Sequence, residues 1–509
     1  MVFLSAIAAA GSLPAHSTLQ EVQAGDVLGQ IRNGAPIYYD GVNISGNLDL
    51  SGLGKVNSSL LIINSSIPDS NFAGVTFEKD VVFWGSTFGN ASFDKTAFIG
   101  LADFSNTSWR HTSFSEAVFN QPVVFDGTEF LSSVNFENAQ FRKDTLFNSV
   151  RFLGDAYFNY SHFSYYSYFA GSRFFGNASF SDIKFDGMLD FSSVGFAHDV
   201  RFVRSEFDTT SFSDSFFGGL TQFGLARFHR LAGFDSSIFA QEANFALSRF
   251  EDAVSFSNAS FRGDAIFGGI KFERLLSFRG ANFEKKLNLR ASQIYDVLLE
   301  NATFGAASKI ILEDADFSIF RAPWGTIGDH VQYNGGAYIA LIKNYKDLNW
   351  FGDSNDCYYS YRKLSLDYEP MSPMKFMDYL AWMFYGFGVK PEIPLGWSVF
   401  IILALGLVFM FIKSLRKFTR KETIKMIPSK DGYLEAQIET TLIEVPVSFI
   451  DPFLFSLSNF TSGWTTFLYP FTDFKTAGGH SHLAIVERIL GSIFISLILA
   501  AIVKTYLIR

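Results

Sequence analysis

The chain has 509 residues and a formal charge of −9, which is too long for one ordinary core, since single cores stop growing near roughly 250 residues. The acidic balance argues against a nucleic-acid partner held through backbone phosphates, because that needs clustered Lys and Arg. The single cysteine, Cys357, excludes an internal disulfide framework and a Cys-based zinc site; a small, buried apolar role suits it better than a reactive one.

Residues 1–17 contain VFLSAIAAAGSLPAHS, an apolar run leading into small residues without a basic start. A signal segment and a plain apolar N-terminus both fit. Residues 18–71, with GNLDLSGLGKVNSSLLIIN, read as an N-terminal cap and leading coils in which Leu and Ile hold the repeat position.

Phenylalanine occurs 61 times and glycine 41 times, the bias of one aromatic position reused along an array. Over 72–320 aromatics recur at spacings of five and six, from Phe72, Phe77, Phe83 and Phe88 onward. Two interleaved series then repeat every eleven residues, one through Phe125, Phe136, Phe147 and Phe158, the other through Phe130, Phe141, Phe152 and Phe163. The register slips by one near Phe212, and the array ends near Phe317. A helix would need apolar spacings of three and four, so helix is excluded; the Gly, Ser, Asn and Asp between the rings favour turns. A small residue often stands two before the ring, as in NASF ending at Phe93 and Phe180, EANF at Phe245 and GANF at Phe283.

This pattern resembles the pentapeptide-repeat family. The resemblance implies an all-β, right-handed quadrilateral β-helix with four faces per coil, here with about 22 residues per coil because alternate faces carry one extra. Inward rings stacked coil on coil would supply the stability, so both ends need caps; the C-terminal cap is expected at 318–334. Acidic solenoids of that family mimic DNA and protect topoisomerases, a rival reading for the array taken alone that the C-terminal third argues against.

Sequons fall at Asn43, Asn57, Asn64, Asn90, Asn106, Asn159, Asn177, Asn258 and Asn301. These are glycan acceptors in a secreted chain, although an Asn-Ala-Ser-Phe unit creates a sequon automatically. His111, His162, His198 and His229 stand at unrelated offsets, so neither a metal site nor a cofactor is expected, and no nucleophile, base and ligand set marks an enzyme.

Residues 335–394 form a helical junction. GAYIALIKNYKDLNW at 336–350 and DCYYSYRKLSL at 356–366, separated by a GDSN turn, predict two amphipathic helices whose aromatic faces suit packing better than a ligand. MKFMDYLAWMFYGFGVKPEIP follows, an aromatic segment suited to the membrane interface. Residues 395–509 are then read as an α-helical membrane domain. A first span, 395–415, contains eighteen uncharged residues from Leu395 to Ile412; a second, 483–508, is uncharged from Ile489 to Val503. A loop at 416–447 joins the first span to a half-apolar stretch, 448–470, that fits a re-entrant segment better than a full span.

The order of FLFSLSNFTSGWTTFLYP and HLAIVERILGSIFISLILAAIVK resembles the pore helix, filter and inner helix of two-span potassium channels over residues 445–509. That resemblance implies a tetramer around a pore, with the filter position at Thr461, Ser462, Gly463, Trp464, Thr465 and Thr466 and the inner helix carrying Glu487, Arg488 and Gly491. Paired filter glycines and the acid are missing, so potassium selectivity does not carry over, and Gly491 stands too early for a gating hinge. Glu487 and Arg488 suit a pair anchoring the helix end better than an ion site.

Lys413, Arg416, Lys417, Arg420, Lys421 and Lys425 follow the first span, against Lys375 and Lys390 before it. The positive-inside rule therefore places 416–447 in the cytoplasm and the repeats outside the cell. Two readings result: an oligomeric, ion-channel-like protein of the cell membrane, with ions and the lipid bilayer as partners and the extracellular repeats for sensing or assembly, or a non-conducting, membrane-anchored structural or adhesive protein.

Overall fold

The computed structural model describes residues 19–368, 370–428, 434–462, 473–476 and 480–507; the signal-like residues 1–17 lie outside them. The chain forms two compact units, one up to Ala337 and one from Tyr338.

The first unit is a β-solenoid of about 14 turns. One coil runs through two-residue strands at Val118–Phe119, Val123–Val124, Glu129–Phe130 and Val134–Asn135. Each pairs in parallel with its counterpart in the next coil: Val118 with Gln140, Val123 with Thr145, Glu129 with Arg151 and Val134 with Ala156. Four parallel ladders, one per face, therefore run along the unit.

The alternation of five and six residues comes from two kinds of corner. Between Phe125 and Phe130 the chain makes a tight turn in which the Thr128 N–H donates to the Phe125 carbonyl (3.0 Å) and Gly127 takes φ +70°. A positive φ at the third turn position is the type II signature. The same turn recurs every eleven residues, at Asn138, Ser149, Tyr160, Gly171, Asp182 and onward. Between Phe130 and Phe136 a wider bend at Leu131 and Ser132 takes the sixth residue. The coils between Lys55 and Val123 are one residue shorter, as Ala97 pairs with Val118, because strands such as Ser108–Ser113 run straight through one corner; the leading coil is one longer, with Ile37 opposite Leu60. The slip near Phe212 has a similar origin: the bend after Phe207 loses one residue, so Leu189 pairs with Thr210.

The rings fill the interior in columns. Phe125, Phe147, Phe169 and Phe191 are fully buried and stack at 4.7, 4.7 and 4.5 Å between centroids, and neighbouring columns meet edge-on, as Phe136 meets Phe147 at 88°. Both arrangements are favoured by the aromatic quadrupole. The small residues two before a ring, Ala156, Ala178 and Ala243, are buried with it. Buried serines satisfy carbonyls of the preceding coil: Ser237 and Ser248 donate to the Phe212 and Phe223 oxygens, each at 2.6 Å. Some wide bends carry glycine for another reason, the close approach of coils; a Cβ on Gly263 would lie 2.2 Å from the Gln241 carbonyl carbon.

Aliphatic residues take over at both ends, with Leu48, Leu50, Leu60 and Ile62 at one and Leu287, Leu289, Leu299 and Leu312 at the other. Helix α1 (Ala24–Arg32) buries Val27 and Ile31 at the leading end. After the last rung, Asp316–Arg321, helix α2 (Trp324–Ile327) buries Trp324 and Ile327, and Val331 bridges to Ile310.

The second unit is mainly helical. Helices α3 (Gly335–Asp347) and α4 (Phe351–Tyr368) are separated at Asn349, which takes φ +60°. The expected GDSN turn is instead the first turn of α4, with Asp353 at its positive end. Residues of this kind suit helix starts as well as turns, and their carboxylates favour the N-terminal dipole. Helix α5 (Pro373–Tyr385) is capped by Ser372, whose hydroxyl accepts the Lys375 N–H at 3.1 Å, and ends on Gly386 with a positive φ. The aromatic faces of α4 and α5 pack on each other: Trp382 donates to the Tyr359 hydroxyl (3.0 Å), Arg362 pairs with Asp378 (2.6 Å), and Cys357 is fully buried. Helices α6 (Glu392–Ile412), α7 (Asp451–Thr461) and α8 (Ser481–Ile502) complete the unit, with an antiparallel hairpin, Leu415–Pro428 and Leu434–Val445, between α6 and α7. Among the described residues, two helical stretches are long and apolar enough to cross a membrane, Glu392–Ile412 with mean hydropathy 2.6 and Ser481–Thr505 with 2.2.

Candidate functional site

The second unit places its uncommon chemistry around α7. Pro452 sits in the first turn of this helix, where its missing N–H costs nothing. The Asp451 carboxylate, 1 % exposed, accepts from Lys417 Nζ (2.8 Å) and the Ser448 N–H (2.6 Å). Because Lys417 lies in the first hairpin strand, this pair ties the start of α7 to the base of the hairpin. The strand Asp473–Thr476 pairs with the same base, Leu415 opposite Thr476 and Lys417 opposite Phe474. The chain thus enters α7 and returns at one end of α6. With 11 residues, α7 is about 16 Å long, near half the roughly 30 Å hydrocarbon thickness of a bilayer.

At its far end α7 lies directly on α8. A Cβ on Gly491 would stand 1.9 Å from the Phe460 carbonyl oxygen, and one on Gly406 of α6 would stand 2.6 Å from the Phe453 ring. Both glycines serve close helix approach, as small residues do between membrane helices. Between these contacts the Ser456 hydroxyl lies 2.8 Å from the Ile402 carbonyl of α6 and is hydrogen-bonded to the Glu487 carboxylate, which also accepts from Asn459 Nδ2 at 3.4 Å. Glu487 is completely buried. Arg488 turns the other way and is exposed, donating to Asn459 Oδ1 at 3.3 Å. Glu487 and Arg488 therefore belong to different faces of α8, joined through Asn459.

Of the filter-position residues, Thr461 and Ser462 close α7, their hydroxyls donating to the Leu457 and Asn459 carbonyls, each at 2.8 Å. Gly463, Trp464, Thr465 and Thr466 lie outside the described residues. Sequence reasoning had no means of finding the Lys417–Asp451 pair or the Gly491–Phe460 contact; only the Asp-Pro start and the Ser456/Asn459 spacing hint at a helix with one polar face.

On the solenoid the sequon asparagines Asn43, Asn57, Asn64, Asn90, Asn106, Asn177, Asn258 and Asn301 are exposed, and Asn159 is half-buried, donating to Glu137 at 2.8 Å. Asn64, Asn106, Asn258 and Asn301 occupy the positive-φ turn position, which asparagine tolerates well.

A family model described as pentapeptide repeats (9 copies) matches residues 104–151, 136–184 and 234–282. The β-helix is a pentapeptide-repeat solenoid. All matched segments lie inside it, so the channel resemblance of 445–509 rests on those residues alone. No curated protein and no solved structure matches the chain.

Proposed function

We propose that the chain is an oligomeric, channel-like integral membrane protein in which α6 and α8 cross the bilayer and residues 448–470 form a re-entrant segment. The observation that carries this reading is the pinning of both ends of that segment to one hairpin base, through Lys417–Asp451 at the start and the Asp473–Thr476 strand at the return. Two spans and one half-span cannot enclose a water path alone, so several copies are required, four on the channel resemblance. The pentapeptide-repeat solenoid serves assembly or sensing outside the cell, an orientation supported by the basic residues from Lys413 to Lys425 after α6. The filter position lacks paired glycines, so potassium selectivity is not part of the proposal.

That same lack favours a second reading, in which the spans only anchor a non-conducting surface solenoid. Single-channel recording of purified protein in planar bilayers separates the two, with Trp464→Ala and Thr465→Ala beside the wild type. Discrete currents altered by the substitutions support the channel. Silent bilayers that contain inserted protein leave the anchored solenoid.

A further inference from the structure

Helix α8 has two chemically distinct sides. Ala484, Glu487, Gly491, Phe494 and Ala501 are buried, at spacings of three, four and seven that make one helical stripe. Arg488, Ser492 and Ser496, each four residues apart, form another; Arg488 and Ser496 are exposed and Ser492 is half-buried. The serine hydroxyls fold back on the helix, Ser492 donating to the Arg488 carbonyl (2.9 Å) and Ser496 to that of Ser492 (2.7 Å).

The depth of this stripe matters. The Ile402 carbonyl, which shares Ser456 with Glu487, belongs to the middle residue of the 21-residue α6. Glu487, and Arg488 beside it, therefore lie level with the middle of α6, although on α8 they directly precede the uncharged stretch from Ile489 to Val503. A cation facing lipid near the bilayer centre is costly, and such residues turn toward water or a partner. Among the described residues, the hydrogen bond to Asn459 takes up one of the five guanidinium N–H donors. The acids do not balance it on the surface: among the described residues of α6, α7 and α8 they are Glu392 at the start of α6, Asp451 bound to Lys417, and Glu487 turned to α7. Residues 463–472 contain no charged side chain at all.

We infer that the Arg488, Ser492 and Ser496 stripe faces the water path and that the path selects anions, with Arg488 from each copy forming its selective ring. Rings of Arg or Lys select anions where rings of Asp or Glu select cations. The inference rests on the channel reading and names the class of permeant ion, small inorganic anions such as chloride.

The test is the zero-current potential of the reconstituted full-length protein under a potassium chloride gradient, for wild type, Arg488→Gln and Arg488→Lys. The wild-type potential is expected on the chloride side of zero, Arg488→Gln is expected to lose that preference, and Arg488→Lys to keep it. A wild-type potential on the potassium side, or an unchanged anion preference in Arg488→Gln, overturns the inference and leaves the channel standing. No current from any variant, with insertion verified, overturns the channel reading and this inference together.

Discussion

The two units are stabilised in opposite ways. In the solenoid one contact is made many times: each ring lies between the rings above and below, as Phe169 does between Phe147 and Phe191 at 4.7 and 4.5 Å. In the second unit each decisive contact is made once, the Lys417–Asp451 pair, the Ser456–Glu487 bond and the Gly491–Phe460 approach. Repetition makes the solenoid tolerant of local defects, whereas the helical unit depends on single atoms.

The largest effect is expected from Phe169→Ala, which removes a fully buried ring and both its stacking contacts and should cost about 3–5 kcal/mol, read by denaturant unfolding as a local loss between coils. Gly491→Ala should be next, since its methyl must push α7 away from α8; overpacking of this kind costs about 1–3 kcal/mol, read as a lower thermal midpoint in detergent. Gly263→Ala creates a similar clash between coils, and a smaller loss is expected because a surface bend can shift outward. The sharpest contrast is Leu225→Gly. Leu225 holds φ +61° and is exposed, so glycine there should raise stability by up to about 1 kcal/mol. If Gly491→Ala were silent while Phe169→Ala unfolded the whole chain, the contrast between the units would be reversed.

Burial pushes the Cys357 thiol well above its ordinary range, and only the thiolate reacts. Native protein should therefore resist maleimide at neutral pH and react once α4 and α5 are unfolded, a readout confined to the second unit.

Legibility in the sequence follows the same division. The eleven-residue spacing of Phe125, Phe136 and Phe147 reveals the ladders, the buried ring columns and the small inner residues, because each rule is repeated along the chain. The straight-through strand Ser108–Ser113 and the shortened bend after Phe207 are single events in that pattern, visible only as changes of spacing. In the helical unit hydropathy locates α6 and α8, but the partners of Glu487 lie about thirty residues away on α7, and no period links them. The GDSN sequence misled for a local reason: its residues serve a turn and the first turn of a helix equally well.

The re-entrant path proposed for residues 448–470 is tested most directly by side-specific labelling. Thr423→Cys in the hairpin, Lys475→Cys in the return strand and Met374→Cys on α5 are each placed in a Cys357→Ser background and reconstituted in one orientation. A membrane-impermeant maleimide should label positions 423 and 475 from the same side and position 374 from the other. Labelling of 423 and 475 from opposite sides would make residues 448–470 a third full span and contradict the account.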